Sequence, residues 1–339
     1  MTKIPEPVHT LAGLIDKAHE SREELPRPHL GASQIGHPCR RWLWLSFRWA
    51  VQEQFPGRIL RLFRRGHHEE NWIVEDLRAA GVKIHPIDPQ TGSQWFFKDG
   101  HFGGSMDGII ESGVPEAPHK PHIFEAKTHS LKSFKHLTAN GVEKSKPVHY
   151  AQMQVYMAAQ DIDRALYFSI CKDDDQIYTE RVRLNKTEAK KLNDKAQDII
   201  ASDRMPEPLS ADPTWWECKF CAAHSFCHGH NMTEKVNCRT CAHSSAQRDG
   251  TWHCARWNSE IPAVEFQRAG CDDHVLHPDL VPWKLKGGDS ISADYEYEGQ
   301  TFTNGAGGFK SRELVANFAG CMDENVQEIR VRFDGEVVD

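Results

Sequence analysis

GGSMDGIIESGVPEAPHKPHIFEAK, from Gly103 to Lys127, reads as two short apolar strands around Met106 to Ile110 and His122 to Ala126. A loop containing Pro, Gly and His joins them at Ser112 to Pro121. Asp107 sits between Met106 and Ile109 on the first strand. On the second, the period of two puts Glu125 and Lys127 on one face. Once the strands pair, an acid faces Glu-x-Lys, and two carboxylates and an ammonium share a small space. Carboxylates held so close resist joint ionisation unless a divalent cation is shared between them, which makes the stretch a magnesium or manganese site. The bland alternative is a solvated hairpin with a surface Glu/Lys pair. The flanking chain decides between the two.

Hard cations prefer carboxylate oxygens and water, lower the pKa of that water and offset charge on an attacked phosphate. Such a site suits phosphodiester hydrolysis, with Lys127 orienting or deprotonating the water or neutralising developing charge. The segment Leu60 to Gly81 has helical period, and within it Glu70 follows Gly66, His67 and His68, placed to reach the metal from a neighbouring helix. A helix after Pro147 puts Gln152 and Tyr156 on one face, four residues apart.

The chain has 339 residues, enough for a sizeable core and more than one unit. Its 39% apolar and 26% charged content is ordinary for a globular protein. No apolar run approaches a membrane span, and MTKIPEPVHT has no signal core, so the expected setting is the cytoplasm with no membrane partner. A net charge of −7 argues against a wholesale cationic nucleic-acid binder, although local charge matters more. Between Gly36 and Gly66 stand seven arginines and one acid, Glu53, interleaved with aromatics. Arg40, Arg41, Arg61, Arg64 and Arg65 are therefore candidate DNA contacts. The same pattern also suits a helix whose aromatics are core.

Ten cysteines in a reducing compartment point to metal rather than disulfides. After Pro206, Pro208 and Pro213, Cys218, Cys221 and Cys227 are spaced C-x2-C-x5-C, one ligand short of a tetrahedral set. His224 would complete a zinc site, and Cys39 would complete four thiolates and admit a [4Fe-4S] cluster. A second set, Cys238, Cys241, Cys254 and Cys271, reads as a zinc-stabilised module with Trp252, Trp257 and Gly270 in a small core and His243, His253, His274 and His277 nearby. Beyond Ile291 follow strand-like DYEYEGQTFTN, a GAGG turn, a short helix from Ser311 to Ala319 and a last strand, EIRVRFDGEVV. Cys171 and Cys321 are isolated.

Taken in order, Gly66-x3-Glu70, Gly104-x2-Asp107, Glu125-x-Lys127 and Gln152-x3-Tyr156 resemble the PD-(D/E)XK nuclease superfamily, nearest its RecB-like exonucleases of phages and bacteria. Adding Cys39, Cys218, Cys221 and Cys227, the chain resembles the iron–sulfur branch, with AddB-type helicase-nucleases and CRISPR-associated exonucleases. The likeness covers residues 30–230, and Glu70 stands where the family has a metal-binding histidine. It implies an α/β fold in which a mixed β-sheet is flanked by helices. Asp107 and Glu125 would be metal ligands with Glu70, Lys127 the catalytic lysine, Gln152 and Tyr156 the accessory motif, and the four cysteines cluster ligands. The implied division is a nuclease core at 1–205, a cluster segment at 206–230, a zinc module at 231–284 and a small α+β segment at 285–339. The implied activity is Mg²⁺- or Mn²⁺-dependent DNA exonuclease action on ends in recombination or repair, of phage origin, with a recombination or replication protein as a possible C-terminal partner. The alternatives are a structure-specific endonuclease and a DNA-binding adaptor with a vestigial site.

Overall fold

The computed structural model describes residues 10–22 and 25–316. The expected helix end at Ala319, the last strand EIRVRFDGEVV and Cys321 lie outside them. The central hairpin forms as β5 (Gly108–Ser112) and β6 (His122–His129), antiparallel with Gly108 opposite Phe124. On the outer side β2 (Lys83–His85) pairs with β5, and on the inner side β7 (Arg164–Cys171) lies parallel to β6 and carries β8 (Ile177–Arg183) antiparallel. The order β2-β5-β6-β7-β8 is thus a mixed sheet, as expected for the fold class.

Alternation along β6 sorts its residues between two layers. Phe124 and Ala126 pack with Leu166 and Phe168 against Ile73, Val74 and Leu77 of the long helix α3 (Gly57–Ala79). On the other face Ile123 joins Tyr167, Met153 and Tyr156 under α4 (Leu131–Ser145) and α5 (Pro147–Ala159). The amphipathic α6 (Lys186–Ala201) buries Leu192, Ala196 and Ile199 in the same core. Gly81, at a φ of +85°, ends the α3 region in the left-handed backbone that glycine adopts most cheaply.

The strand expected around Met106 to Ile110 starts only at Gly108, and the strand before it belongs to another sheet. β4 (Phe102–Ser105) pairs antiparallel with β3 (Phe96–Asp99) and parallel with the two-residue β1 (Leu30–Gly31). The chain then crosses at Met106 and Asp107 into β5. Met106 is fully buried at this crossing. Asp107 is thereby placed at the seam between sheets rather than along a strand.

The C-terminal segments contribute buried residues to the same core. Trp252 of the three-stranded sheet β9 (Ser244–Ala246), β10 (Trp252–Cys254) and β11 (Ser259–Ile261) is buried with Ile261 and Leu280 in the core that holds Leu43 and Trp44 of α2 (Arg40–Phe47). Trp257, expected beside Trp252 in a small core, is exposed and stacks under Arg256. Arg239 seals the join: its guanidinium lies 3.6 Å from the Trp49 ring centroid and donates to the carbonyls of Phe47 and Pro28 and to Gln267. Cation–π contacts of this kind contribute about 0.5–2 kcal/mol each. Beyond it, β12 (Lys284–Gly288), β13 (Ser292–Tyr297) and β14 (Gln300–Gly305) cover a satellite core around Trp283, Tyr295 and Phe302.

Candidate active site and cysteine clusters

Asp107, Glu125 and Lys127 converge. The Lys127 ammonium touches Glu125 Oε1 and lies 3.5 Å from Asp107 Oδ2, while its Nζ also donates to the Ala126 carbonyl at 2.9 Å. Asp107 Oδ2 accepts the Ala126 N–H at 2.9 Å, which ties the sheet crossing to β6. Glu125 is fully buried, and Gln152 Nε2 of α5 donates to its Oε2 at 3.1 Å. Glu70 of α3 stands close enough for its charge to act on Glu125, and burial together with Asp107 raises its own carboxyl above the ordinary value.

Burial is the largest influence on Glu125 and pushes its carboxyl up to about 8, with Lys127 opposing the rise and Asp107 and Glu70 adding to it. Burial disfavours the Lys127 ammonium, but the two carboxylates outweigh it and hold the group above its ordinary pKa. The folded protein therefore retains a Glu125 proton between an ordinary 4.5 and about 8, whereas the unfolded chain releases it. Stability of the metal-free protein is expected to fall as pH rises through that window, by at most about 1.4 kcal/mol per unit. Thermal melting of Glu125→Gln should lose this slope. A variant profile parallel to the parent would show that another group sets it.

Tyr156 lies on the same face of α5 as Gln152. It is buried, and its hydroxyl donates to the Ser105 carbonyl at 2.7 Å, bracing the strand end two residues before Asp107. That phenol explains Gly104, where an added Cβ would lie 2.5 Å from the hydroxyl. Gly104→Ala is expected to destabilise the protein by about 1–3 kcal/mol through overpacking. Combining it with Tyr156→Phe should recover part of that loss in denaturant titrations, and strictly additive losses would contradict the clash.

Glu70 and Lys127 of this group line a cleft of about 1520 Å³ that runs between α3 and the start of α5. Glu70 and His67 line it from α3, Lys127 and Lys172 from β6 and the end of β7, and Lys146 and His149 from the start of α5. His68 is exposed and is not among its lining residues.

The arginines expected to meet DNA are mostly committed elsewhere, because the period of α2 turns its aromatics into the core and its arginines toward α6 and the cysteine segment. Arg40 pairs with Asp198, and Arg41 donates to the Pro206 carbonyl. Arg61 pairs with Asp16, and Arg64 is exposed on α3 without lining the cleft. Arg65 pairs with Glu69 and reaches the Lys172 carbonyl, at the cleft rim. Lys146, Lys172, Lys235 and Arg268 of the lining were missed, since no local motif marks residues gathered from distant elements.

Cys39 caps α2, its Sγ accepting the Trp42 N–H, and it lines one small cavity with Cys218, Cys221, Cys227 and His224. Burial, with charge from Cys39, Cys227 and Cys218, pushes the Cys221 thiol up to about 11. His224 turns Nε2 to the Pro213 carbonyl at 3.2 Å. In the second set, burial pushes Cys238 up to about 11 and Cys241 up to about 12, and Cys238, Cys241, Cys254 and Cys271 act on one another. His274 is engaged at both ring nitrogens, by Ser311 and by Thr240 with the Asn237 carbonyl, and His277 bonds the Asp203 carbonyl. Among the described residues no disulfide forms, and no three His, Cys, Asp or Glu side chains already meet at ligating distance. Each set is a neighbourhood of donors. Among the described residues no helix is long and apolar enough to cross a membrane.

No family model matches the chain, and no curated protein matches it. Among solved structures, the alkaline exonuclease LHK-Exo from Laribacter hongkongensis is 16% identical at a TM-score of 0.37, over 52% of this chain and 88% of that one. Its complex with dAMP gives the same identity and score over 56% and 90%. SSO0001 is also 16% identical with a TM-score of 0.37, over 61% and 88%.

Proposed function

We propose that the chain is a metal-dependent deoxyribonuclease of PD-(D/E)XK type that acts on DNA ends. The observation that carries this reading is the meeting of Asp107 and Glu125 at Lys127, two carboxylates sharing one ammonium that itself lines the cleft. The donors are hard oxygens, which suit Mg²⁺ or Mn²⁺. Asp107 and Glu125 would hold the ion, with Glu70 the third carboxylate within reach. When bound, such an ion supplies an acidified water and offsets phosphate charge. Gln152 fixes the Glu125 carboxylate, Tyr156 and Gly104 fix the approach to Asp107, and Lys127 adds positive charge beside the reacting phosphate.

Cys39, Cys218, Cys221 and Cys227 would hold an iron–sulfur cluster, with zinc the alternative, and Cys238, Cys241, Cys254 and Cys271 would hold zinc. Burial first, and then the charge of neighbouring cysteines, pushes Cys221 and Cys238 of the two sets up, a cost that binding a thiophilic metal relieves. Their role is structural, since both lie in the segments that wall the core.

The test is hydrolysis of end-labelled linear and closed circular DNA with and without Mg²⁺ or Mn²⁺. Linear DNA degraded only with metal, and circles left intact, is the expected result. Cut circles would favour the endonuclease, and intact DNA under all conditions would leave an adaptor.

A further inference from the structure

Past Lys127 the cleft wall changes character. Thr128, His129, Lys146, His149 and Lys172 line it, and the charges acting on the His129 ring are those of Lys146, Lys172 and Lys127. Burial and these lysines hold His129 down at about 4, and burial with the same surroundings holds His149 down at about 3, so both imidazoles are neutral at physiological pH. Lys127 thus meets the carboxylates of Asp107 and Glu125, while ammonium groups and neutral rings line the cleft wall that continues from it.

These groups are joined in sequence. Lys146 Nζ donates to Ser133 Oγ at 2.5 Å, and Ser133 Oγ lies 3.3 Å from His129 Nδ1. His129 Nε2 lies 2.8 Å from the hydroxyl of the fully buried Tyr167, and that hydroxyl lies 2.9 Å from His149 Nδ1. An ammonium has only protons to give. Donation from Lys146 polarises the serine hydroxyl toward His129 Nδ1, and the polarity then runs one way along the chain. His129 carries its proton on Nε2 and gives it to Tyr167, and Tyr167 gives its own to His149 Nδ1. His149 is left with a proton on Nε2, an atom with no hydrogen-bond partner among the described residues. The N-terminal turn of α5, which holds Lys146 and His149 and has no side-chain cap, adds the positive end of the helix to this wall.

We propose that His149 Nε2–H and the Lys172 ammonium form a phosphate-binding subsite, aligned through the chain from Lys146 to Tyr167. It would take a nucleic-acid phosphate next to the one at the carboxylates. The subsite rests on the nuclease reading for its ligand, but its binding is measured without hydrolysis.

The experiment follows a fluorescent oligonucleotide by anisotropy in EDTA across a salt series, with duplexes carrying terminal phosphates or terminal hydroxyls. Lys172→Gln, which sheds no side-chain hydrogen bond among the described residues, should weaken binding about tenfold and reduce the salt slope by about one. His149→Phe should weaken binding similarly and leave the slope unchanged, because a neutral donor releases no counterion. Tyr167→Phe, which breaks the relay without touching the wall, should move with His149→Phe. Loss of binding on removing terminal phosphates from the DNA, matched by insensitivity of Lys172→Gln to that removal, identifies a terminal monoester. Equal binding of both duplexes identifies an internal diester. Lys172→Gln and His149→Phe binding like the parent overturns the subsite even if the parent cuts DNA. A parent that binds but never cuts overturns the hydrolytic reading alone.

Discussion

Asp107→Asn is expected to lower metal-dependent hydrolysis of linear DNA by about 10²–10³-fold or more, with little change in melting temperature. The two effects separate because Asp107 has two tasks. Its Oδ2 accepts the Ala126 N–H and so holds the sheet crossing against β6, a bond an amide oxygen can still accept. Its charge sits beside Lys127 and Glu125, and an amide cannot supply that. Asp107→Ala would lose both tasks and is the poorer test. Initial rates on end-labelled duplex over a magnesium titration decide the matter. A rate within tenfold of the parent at saturating metal would place the chemistry elsewhere.

Cys39→Ser is expected to strip the first cysteine set of its metal and lower the melting temperature by about 10 °C or more. Cys39 lies 179 residues before Cys218 (218 − 39), so a shared metal would close a long loop around the core. Serine is itself a good helix N-cap, and its hydroxyl can still accept the Trp42 N–H. Any loss is then attributable to the missing thiolate rather than to an uncapped α2. Iron, sulfide and zinc analysis of anaerobically prepared protein reads the result. Metal content equal to the parent's would remove Cys39 from the ligand set.

Much of the site was legible because it depends on local periodicity. Period two put Glu125 and Lys127 together, the four-residue helical step aligned Gln152 with Tyr156, and the hairpin brought Asp107 opposite. The crossing at Met106 was not legible, since it depends on pairing with a two-residue strand more than seventy positions upstream, and Leu30–Gly31 carries no signal of its own. The placement of the arginine-rich stretch was not legible for a related reason: composition cannot say which side of a helix faces the core. Trp44 and Phe47 are buried, and they carry Arg40 and Arg41 away from the cleft. Of the lysines that do line it, Lys146 and Lys172 stand on a helix cap and a strand end that meet only after folding.

Arg239 sits between two cysteines of the second set and presses on Trp49, while Lys235, Asn237, Arg268 and Trp49 itself border the cleft. The cleft wall and the turn that carries Cys238 and Cys241 therefore share the Arg239–Trp49 contact. If the second cysteine set holds zinc as proposed, a chelator that disturbs the turn from Cys238 to Cys241 would shift that wall without touching a carboxylate.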